Sequence, residues 1–296
     1  MCETCGCSDD SKPKLINLQS GVTFAIGSAN DRDHEHVHEH FHSVHEARHD
    51  HHHHDHHHSH DHSHSHGETD NGHSHSHAAT IRLETDVLAK NNRLAERNRG
   101  WFAGRNIFAL NLMSGPGAGK TTLLERTIHD LGKKLSLSVV EGDQETINDA
   151  ERIRATGCRV VQINTGTGCH LDAVMLARGL HQLDPPPNSM VLIENVGNLV
   201  CPALFDLGER SRVVIASVTE GDDKPIKYPH MFRQSDVMIL NKIDLLPYVP
   251  FDVDRCLAYA RQVNPHIRVI QVSALRGDGL EEWYDWIRQQ ASAAPE

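Results

Sequence analysis

The chain has 296 residues and a formal net charge of -11 with neutral histidines. This acidic balance argues against a nucleic-acid partner, and a membrane partner is not expected because no apolar run approaches the roughly 18 residues of a membrane span. The first residues lack a secretory signal, so we expect a cytoplasmic protein whose seven cysteines stay reduced and favour metal binding over disulfides.

Three cysteines, Cys2, Cys5 and Cys7, cluster at the start of the chain. Gly6 permits a tight reversal, so the three thiolates can close on one metal ion and become ordered with it. Thiolates suit soft or borderline metals, and planar coordination would indicate Ni(II) or Cu(II). The alternatives are iron–sulfur ligation, which lacks a nearby fourth cysteine, and an unstructured tail with incidental cysteines.

A histidine-rich tract runs from His34 to His77 and contains 21 of the 26 histidines. It cannot form an apolar core, and we expect it to be disordered until it binds a ligand. Imidazoles on a flexible chain bind Ni, Zn, Cu or Co with little selectivity, because no geometry is enforced. The tract therefore predicts metal buffering or storage, and a pH-responsive solubilising tail is the alternative.

These patterns divide the chain into two predicted parts. Residues 1–80 are expected to be a disordered metal-binding tail, with residues 12–32 as a linker inside it. Residues 81–296 are expected to form one folded domain, which is long enough to bury a sizeable core. Its first helix is predicted over residues 85–99, with Val87, Leu88 and Leu94 on one face.

Apolar runs alternate with helical segments through the rest of the domain. The runs interpreted as strands are residues 107–113, 135–140, 159–163, 190–193, 213–218, 237–240 and 267–272. The helices expected between them include residues 146–155, 171–181 and 253–263. This alternation predicts an α/β fold with a mostly parallel sheet of about seven strands, flanked by helices on both faces. Ligands are then expected at the carboxyl ends of the strands.

A glycine-rich turn beginning at Ser114 follows the first of these strands and precedes a helical segment. This is the layout of a P-loop, in which backbone N–H groups and a helix N-terminus bind phosphate. Lys120 would neutralise the outer phosphates and Thr121 would hold Mg²⁺. Ser114 replaces the usual first glycine, so Gly115 and Gly117 are expected to supply flexibility. The predicted nucleotide-binding residues here are Gly115, Gly117, Ala118, Gly119, Lys120, Thr121 and Thr122.

Acidic residues follow two other strands. The Asp143 carboxylate can reach Mg²⁺ directly or through water, although an ordinary turn aspartate is the alternative. Glu194 would lie on the Mg²⁺ side of the phosphates, and the N–H of Gly197 can sense the γ-phosphate. Such contacts order a loop with GTP and release it with GDP. The predicted catalytic residues are Lys120, Thr121, Asp143 and Glu194.

The motif Asn-Lys-Ile-Asp begins at Asn241, also after a strand. The Asp244 carboxylate can accept both the ring N–H and the exocyclic NH₂ of guanine, a donor pair that adenine lacks. The Lys242 stem can cover the base, and Asn241 can brace neighbouring loops. Ser273 and Ala274 lie where a second base-contacting loop is expected. The motif therefore predicts GTP as the nucleotide.

A second possible metal site combines Cys169 and His170 with Cys201, which follows the predicted γ-phosphate sensor. Two thiolates and an imidazole are three ligands for Zn or Ni, with a fourth position open to water or another subunit. Nucleotide state is therefore expected to alter the geometry of the metal. Buried, inert cysteines are the alternative, and this is our interpretation of Cys158 and Cys256.

Together these motifs resemble the HypB family, SIMIBI-class P-loop GTPases that help deliver nickel to nickel–iron hydrogenase. The resemblance covers essentially the whole chain and rests on Cys-x-x-Cys-Gly-Cys, the histidine tract, Ser-Gly-Pro-Gly-Ala-Gly-Lys-Thr-Thr, Glu-Asn-Val-Gly-Asn-Leu-Val-Cys-Pro and Asn-Lys-Ile-Asp. The residues that match the family's N-terminal nickel site are Cys2, Cys5 and Cys7, and those that match its interface metal site are Cys169, His170 and Cys201.

The resemblance implies a GTP-hydrolysing nickel metallochaperone that uses GTP, Mg²⁺, Ni²⁺ and Zn²⁺ and forms a GTP-dependent homodimer. The implied partners are HypA, SlyD and the hydrogenase large-subunit precursor. Without an obvious arginine finger we expect slow intrinsic hydrolysis, roughly 10⁻⁴ to 10⁻² per second. The alternatives are a urease-type nickel-insertion GTPase, UreG, and a metal-storage protein with little GTPase activity.

Overall fold

The computed structural model describes residues 13–26, 74–144 and 148–292, without the side chains of residues 25 and 74–84. The predictions for Cys2, Cys5 and Cys7, and for most of the histidine tract, lie outside these residues. Among the described helices, none is both long and apolar enough to cross a membrane.

One sheet forms the centre of the described structure. Its strands are β1 (Lys14–Asn17), β2 (Val22–Ala25), β3 (Phe108–Ser114), β4 (Leu137–Asp143), β5 (Arg159–Asn164), β6 (Met190–Glu194), β7 (Ser211–Ser217), β8 (Val237–Asn241) and β9 (Arg268–Gln271). Their order in the sheet is β2-β1-β5-β4-β6-β3-β7-β8-β9. In this order, every neighbouring pair from β5 through to β9 is parallel. The predicted α/β fold with a mostly parallel sheet is confirmed, and each predicted run forms a strand.

Helices cover both faces of the sheet. They are α1 (Ser74–Gly104), α2 (Lys120–Leu131), α3 (Asn148–Ala155), α4 (Ala173–Leu183), α5 (Cys201–Leu204), α6 (Lys224–Lys227), α7 (Pro229–Arg233), α8 (Val253–Val263) and α9 (Leu280–Ser292), with a 3₁₀ helix at Ile243–Tyr248. The predicted α8 boundaries are confirmed. α4 begins two residues later than predicted, because the Asp172 carboxylate caps it by accepting from the Met175 N–H at 2.7 Å.

The interpretation of residues 12–32 as a linker is wrong for the hairpin formed by β1 and β2. β1 adds to the sheet antiparallel to β5, with Lys14 opposite Asn164. Leu15 enters the core and is only 1% exposed. The hairpin therefore belongs to the folded part of the chain, and the predicted boundary at residue 80 falls inside α1.

The face that α1 buries also differs from the prediction. Val87 is 47% exposed and Leu88 and Leu94 are half-buried, whereas the fully buried stripe consists of Asn91, Ala95, Asn98 and Phe102 at helical spacing. An apolar search cannot find this stripe, because its two asparagines are polar and their amides bond to buried backbone groups.

The core lies on both sides of the sheet, which explains why the central strands are apolar on both faces. One side is covered by α2, α3 and α9, with Leu123, Ile153 and Trp283 among the buried residues. The other side is covered by α1 and α4 and, further along the sheet, by α7 and α8. This sandwich aligns the carboxyl ends of β3, β4, β6 and β8 at one edge.

Candidate functional site

The loop between β3 and α2 has the backbone shape that the P-loop prediction requires. Gly117 and Gly119 take positive φ angles of 72° and 93°, which favour glycine. A Cβ on Gly119 would lie 2.5 Å from Asn241 Nδ2, so a side chain is excluded there. A cavity of about 560 Å³ lies over this loop and the ends of β4 and β6.

Glu194 lies at the end of β6 and joins the two polar residues that open α2. Its Oε1 is 3.1 Å from Lys120 Nζ and 2.7 Å from the Thr121 hydroxyl. The same hydroxyl is 3.1 Å from Asp149 Oδ2, and its single proton can be donated to only one carboxylate. Asp149 was missed in the sequence because it belongs to no local motif and reaches the site only through the packing of α3.

Carboxylates crowd the wall of the cavity beside these residues. Glu141 is 2% exposed, and burial, with the negative charges of Glu194 and Asp143, raises its pKa well above the usual value. Glu141 Oε2 and Glu194 Oε2 are buried without a hydrogen-bond partner among the described residues. Hard cations prefer carboxylate and hydroxyl oxygens. Thr121, Glu194, Asp143 and Asp149 therefore offer a donor set that fits Mg²⁺.

Asn241 connects three loops at this edge of the sheet. Its Nδ2 donates to the carbonyl of Ala118 in the P-loop at 2.9 Å. Its Oδ1 accepts from the N–H of Ala274 at 3.1 Å, on the loop after β9 that also holds the buried Ser273. One fully buried amide therefore positions the two loops on either side of a candidate base-binding region.

Lys242 and Asp244 lie on the open side of the same region. Lys242 has a φ of 62° and donates from Nζ to the carbonyl of Gly117 at 2.7 Å. Asp244 is half-buried in the first turn of the 3₁₀ helix. The aliphatic stem of Lys242 thus spans from the 3₁₀ helix to the P-loop, and Asp244 remains accessible to a ligand.

The segment after β6 packs directly against the P-loop. A Cβ on Gly197 would lie 3.3 Å from the Cα of Pro116, so the predicted γ-phosphate sensor touches the loop backbone. Further on, Asn198 Oδ1 accepts from the N–H groups of Val200 and Cys201 at 2.7 and 3.3 Å. These bonds turn the chain into α5 and set the position of Cys201.

Cys169, His170 and Cys201 meet on the neighbouring loops. One ligand atom from each lies within 4.8 Å of the other two, and Cys169 Sγ is 3.6 Å from His170 Nδ1. The imidazole stacks on Phe205 at 3.8 Å between ring centroids. Burial lowers the pKa of His170, which favours the neutral, metal-binding form. Two thiolates and an imidazole fit Zn²⁺ or Ni²⁺.

Asn195, which the sequence analysis did not single out, links the two sites. It directly follows Glu194 and is fully buried. Its Oδ1 accepts from the Leu171 N–H, next to His170, at 3.2 Å and from the Val196 N–H at 3.0 Å. Its Nδ2 donates to Asn111 on β3 at 3.4 Å. One side chain therefore connects the carboxyl end of β6 to the loop that carries Cys169 and His170.

The other two described cysteines are not part of this cluster. Burial raises the pKa of Cys158 and of Cys256 to about 12. Cys158 Sγ donates to the carbonyl of Leu137 at 3.3 Å. Both thiols are protonated at neutral pH, consistent with packing residues.

Known proteins resemble this chain along the described domain. A profile for the CobW/HypB/UreG nucleotide-binding domain matches residues 109–271. The hydrogenase maturation factor HypB of Escherichia coli K12 is 56% identical over 213 residues, covering 72% of this chain and 73% of that protein. HypB of Azotobacter vinelandii is 59% identical over 210 residues, covering 71% and 69%.

Solved structures agree with the sequence relatives. HypB from Archaeoglobus fulgidus is similar with a TM-score of 0.65 and 42% identity, covering 69% of this chain and 100% of that one. HypB from Helicobacter pylori in complex with nickel has a TM-score of 0.64 and 35% identity, covering 68% and 95%. The chain belongs to the HypB hydrogenase maturation factors, within the CobW/HypB/UreG family of nucleotide-binding proteins.

Proposed function

We propose that this HypB protein is a GTP-hydrolysing nickel metallochaperone for the maturation of nickel–iron hydrogenase. The observation that carries the proposal is one short segment after β6. It begins with Glu194 beside Lys120 and Thr121, touches the P-loop at Gly197, and ends at Cys201 in the thiolate–imidazole cluster. A nucleotide at one end and a metal at the other would act on the same backbone.

In the nucleotide site, the P-loop N–H groups and Lys120 bind the phosphates, and Asp244 selects guanine. Thr121 and Glu194, with Asp143 and Asp149 nearby, would hold Mg²⁺. When bound, this cation would neutralise negative charge that develops on the phosphates during hydrolysis. Lys120 is held toward the site by its ion pair with Glu194.

Nickel is the cargo of the proposed reaction cycle. Cys169, His170 and Cys201 hold Ni²⁺ or Zn²⁺ in the domain. A fourth ligand comes from water or from a second subunit of a GTP-dependent homodimer. The N-terminal Cys2, Cys5 and Cys7 and the histidine tract store metal, and HypA, SlyD and the hydrogenase large-subunit precursor are the proposed exchange partners. The solved Helicobacter pylori HypB bound to nickel supports nickel as the metal.

The test is the nickel affinity of the Cys201 site with GDP and with a non-hydrolysable GTP analogue. A coupling of about 1–3 kcal/mol changes affinity roughly 5- to 150-fold. The Cys201→Ala variant, measured in parallel, separates this site from binding in the tail. Equal affinities in the two nucleotide states would contradict the coupling.

A second function, nickel insertion into urease, has one supporting observation. A relative from Helicobacter hepaticus, 36% identical over 215 residues, bears the name hydrogenase/urease maturation factor HypB. Hydrogenase and urease activities in a strain lacking this gene would separate the two roles. A GTPase assay on purified protein would separate both from metal storage alone.

A further inference from the structure

Two asparagines of α1 are buried against loop backbone rather than against apolar side chains. Asn91 and Asn98 are each 5% exposed and lie two turns apart on the inner stripe of the helix. A buried amide is costly unless it is hydrogen-bonded, and both amides are bonded to the main chain of other elements.

The bonds join the two segments that carry the metal ligands. Asn91 Oδ1 accepts from the N–H of Ala173 at 2.9 Å, while its Nδ2 donates to the carbonyl of Asp206 at 2.7 Å. Asn98 Nδ2 donates to the carbonyls of Ala173 at 2.9 Å and Leu207 at 3.0 Å. Ala173 begins α4 just after the Cys169–His170 loop, and residues 206–207 follow the helix that starts at Cys201. Each asparagine therefore spans both segments.

Two further contacts press the second segment onto α1. Both oxygens of the Asp206 carboxylate accept from Arg99 Nη2, at 3.0 and 2.9 Å. Gly208 has a φ of 87°, and a Cβ there would lie 2.3 Å from the carbonyl oxygen of Ala95. The loop backbone thus lies against the helix backbone with no room for a side chain.

We propose that α1 is the positioning element of the Cys169–His170–Cys201 metal site, with Asn91 and Asn98 as its positioning residues. The inference rests on the proposed metal site and deepens it. Thiolate ligands must meet one ion at about 2.3 Å, so two separate loops need a common support. Because binding energies are reciprocal, metal bound at the cluster must in turn hold α1 in place. α1 begins within the histidine tract, so the same helix connects the tail to the internal site.

The test uses the full-length chain carrying Cys2→Ser, Cys5→Ser and Cys7→Ser. Co²⁺ serves as the probe, because thiolate-to-metal charge-transfer absorption then reports Cys169 and Cys201 and ignores histidine-only binding. Removing the support of a metal ligand typically costs about 10- to 100-fold in affinity. Asn91→Ala and Asn98→Ala should each weaken the thiolate-reported Co²⁺ affinity by about this factor while GDP binding persists.

The matched control is Asn264→Ala. Asn264 Nδ2 likewise donates to main-chain carbonyls of another segment, those of Phe232 at 3.1 Å and Ser235 at 2.9 Å. It lies at the end of α8, and neither α8 nor α7 carries a metal ligand. If Asn264→Ala loses a comparable amount of thermal stability and keeps the Co²⁺ spectrum unchanged, destabilisation alone does not weaken Co²⁺ binding. If the α1 variants bind Co²⁺ as tightly as this control, the positioning role is overturned.

A second measurement needs no asparagine variant. Zn²⁺ added to the same cysteine-substituted chain should slow amide hydrogen exchange in residues 85–104 about fivefold or more, and Cys201→Ala should abolish the effect. Metal binding that leaves α1 exchange unchanged would overturn the inference. If the chain shows no thiolate absorption that depends on Cys201, the proposed metal site itself fails, which is a distinct outcome.

Discussion

A single carboxylate, Glu194, organises the polar end of the candidate nucleotide site. It is 1% exposed, and its Oε1 contacts both Lys120 and Thr121. A buried charge is tolerated only when it is paired, so the lysine and the acid stabilise each other. The phosphates and Mg²⁺ would take over these contacts, and the end of β6 would then respond to the nucleotide.

Lys120→Ala should lower GTP hydrolysis by about 100-fold or more, because it removes a preorganised positive charge from the transferring phosphoryl group. Phosphate release measures the loss. Lys227→Ala is the control, since that exposed lysine pairs with Asp223 at 2.7 Å outside the cavity. Nickel binding by the tail should be unchanged in both variants. Hydrolysis that survives in Lys120→Ala would contradict the P-loop assignment.

Asp244→Ala should erase the preference for GTP over ATP. Each hydrogen bond to a charged group is worth about 1.5–3 kcal/mol, so the loss of two should weaken GTP binding by at least about 100-fold. Competition binding of the two nucleotides measures it. Asp254→Ala, an exposed position on α8, should retain the preference. An Asp244→Ala variant that still prefers GTP over ATP would show that other residues recognise guanine.

Among the elements, α9 is fastened to α2 by polar contacts as well as apolar ones. Trp283 Nε1 donates to the Thr127 hydroxyl at 2.9 Å, and the Tyr284 hydroxyl donates to Asp130 Oδ2 at 2.7 Å. Burial raises the pKa of Asp130, but hydrogen bonds from Tyr284, Arg126 and His129 outweigh it and lower the pKa to about 2. These contacts hold α2, which begins at Lys120, against α9.

Tyr284→Phe should therefore cost about 1.5–3 kcal/mol at neutral pH, the usual worth of a hydrogen bond to a charged group. Because the folded-state pKa of Asp130 is depressed, this stabilisation is present above about pH 4 and is lost as the pH falls toward 2. Urea unfolding at several pH values measures the difference from the parent. Tyr248→Phe, 81% exposed, is the control. If the difference in unfolding free energy between Tyr284→Phe and the parent does not decrease at acidic pH, the hydrogen bond from Tyr284 to ionised Asp130 is contradicted.

Nucleotide binding and metal binding are expected to influence each other through the segment between β6 and α5, with Asn195 as the connecting residue. The segment has its two ends in different sites, so a change at one end must be absorbed or transmitted. Asn195→Ala removes the bond to the Leu171 N–H. The 5- to 150-fold nucleotide effect on nickel affinity should then fall toward unity. Asn188→Ala changes a surface position and should retain the nucleotide effect on nickel affinity. A full nucleotide effect in Asn195→Ala would contradict the connecting role of Asn195.

Cys169→Ala should remove one thiolate-bound metal per chain when the tail cysteines are replaced by serine. The cluster supplies three ligands, and loss of one leaves too few to hold Zn²⁺ or Ni²⁺ in a structural site. Metal analysis with absorption spectroscopy gives the stoichiometry. Cys158→Ala, at a partly buried thiol packed against the core, should leave the stoichiometry unchanged. Unaltered stoichiometry in Cys169→Ala would exclude the cluster as a metal site.

The sequence by itself determined the parallel α/β fold, the P-loop, the Asn-Lys-Ile-Asp loop and the residues of the internal cysteine cluster. These features are local, because an apolar run, a glycine-rich turn or a short motif indicates its own conformation within a few residues. The chain order also placed each motif after a strand, and parallel strands bring such positions to one edge.

Tertiary structure alone decided the hairpin of β1 and β2, the reach of Asp149 into the site, and the polar inner stripe of α1. Each depends on a distant partner. Leu15 is buried because β1 pairs with β5, and Asn91 and Asn98 are buried because the start of α4 and the segment after α5 present backbone groups to them. Such pairings leave no periodic trace in the chain, since their free energy comes from contacts that exist only after folding.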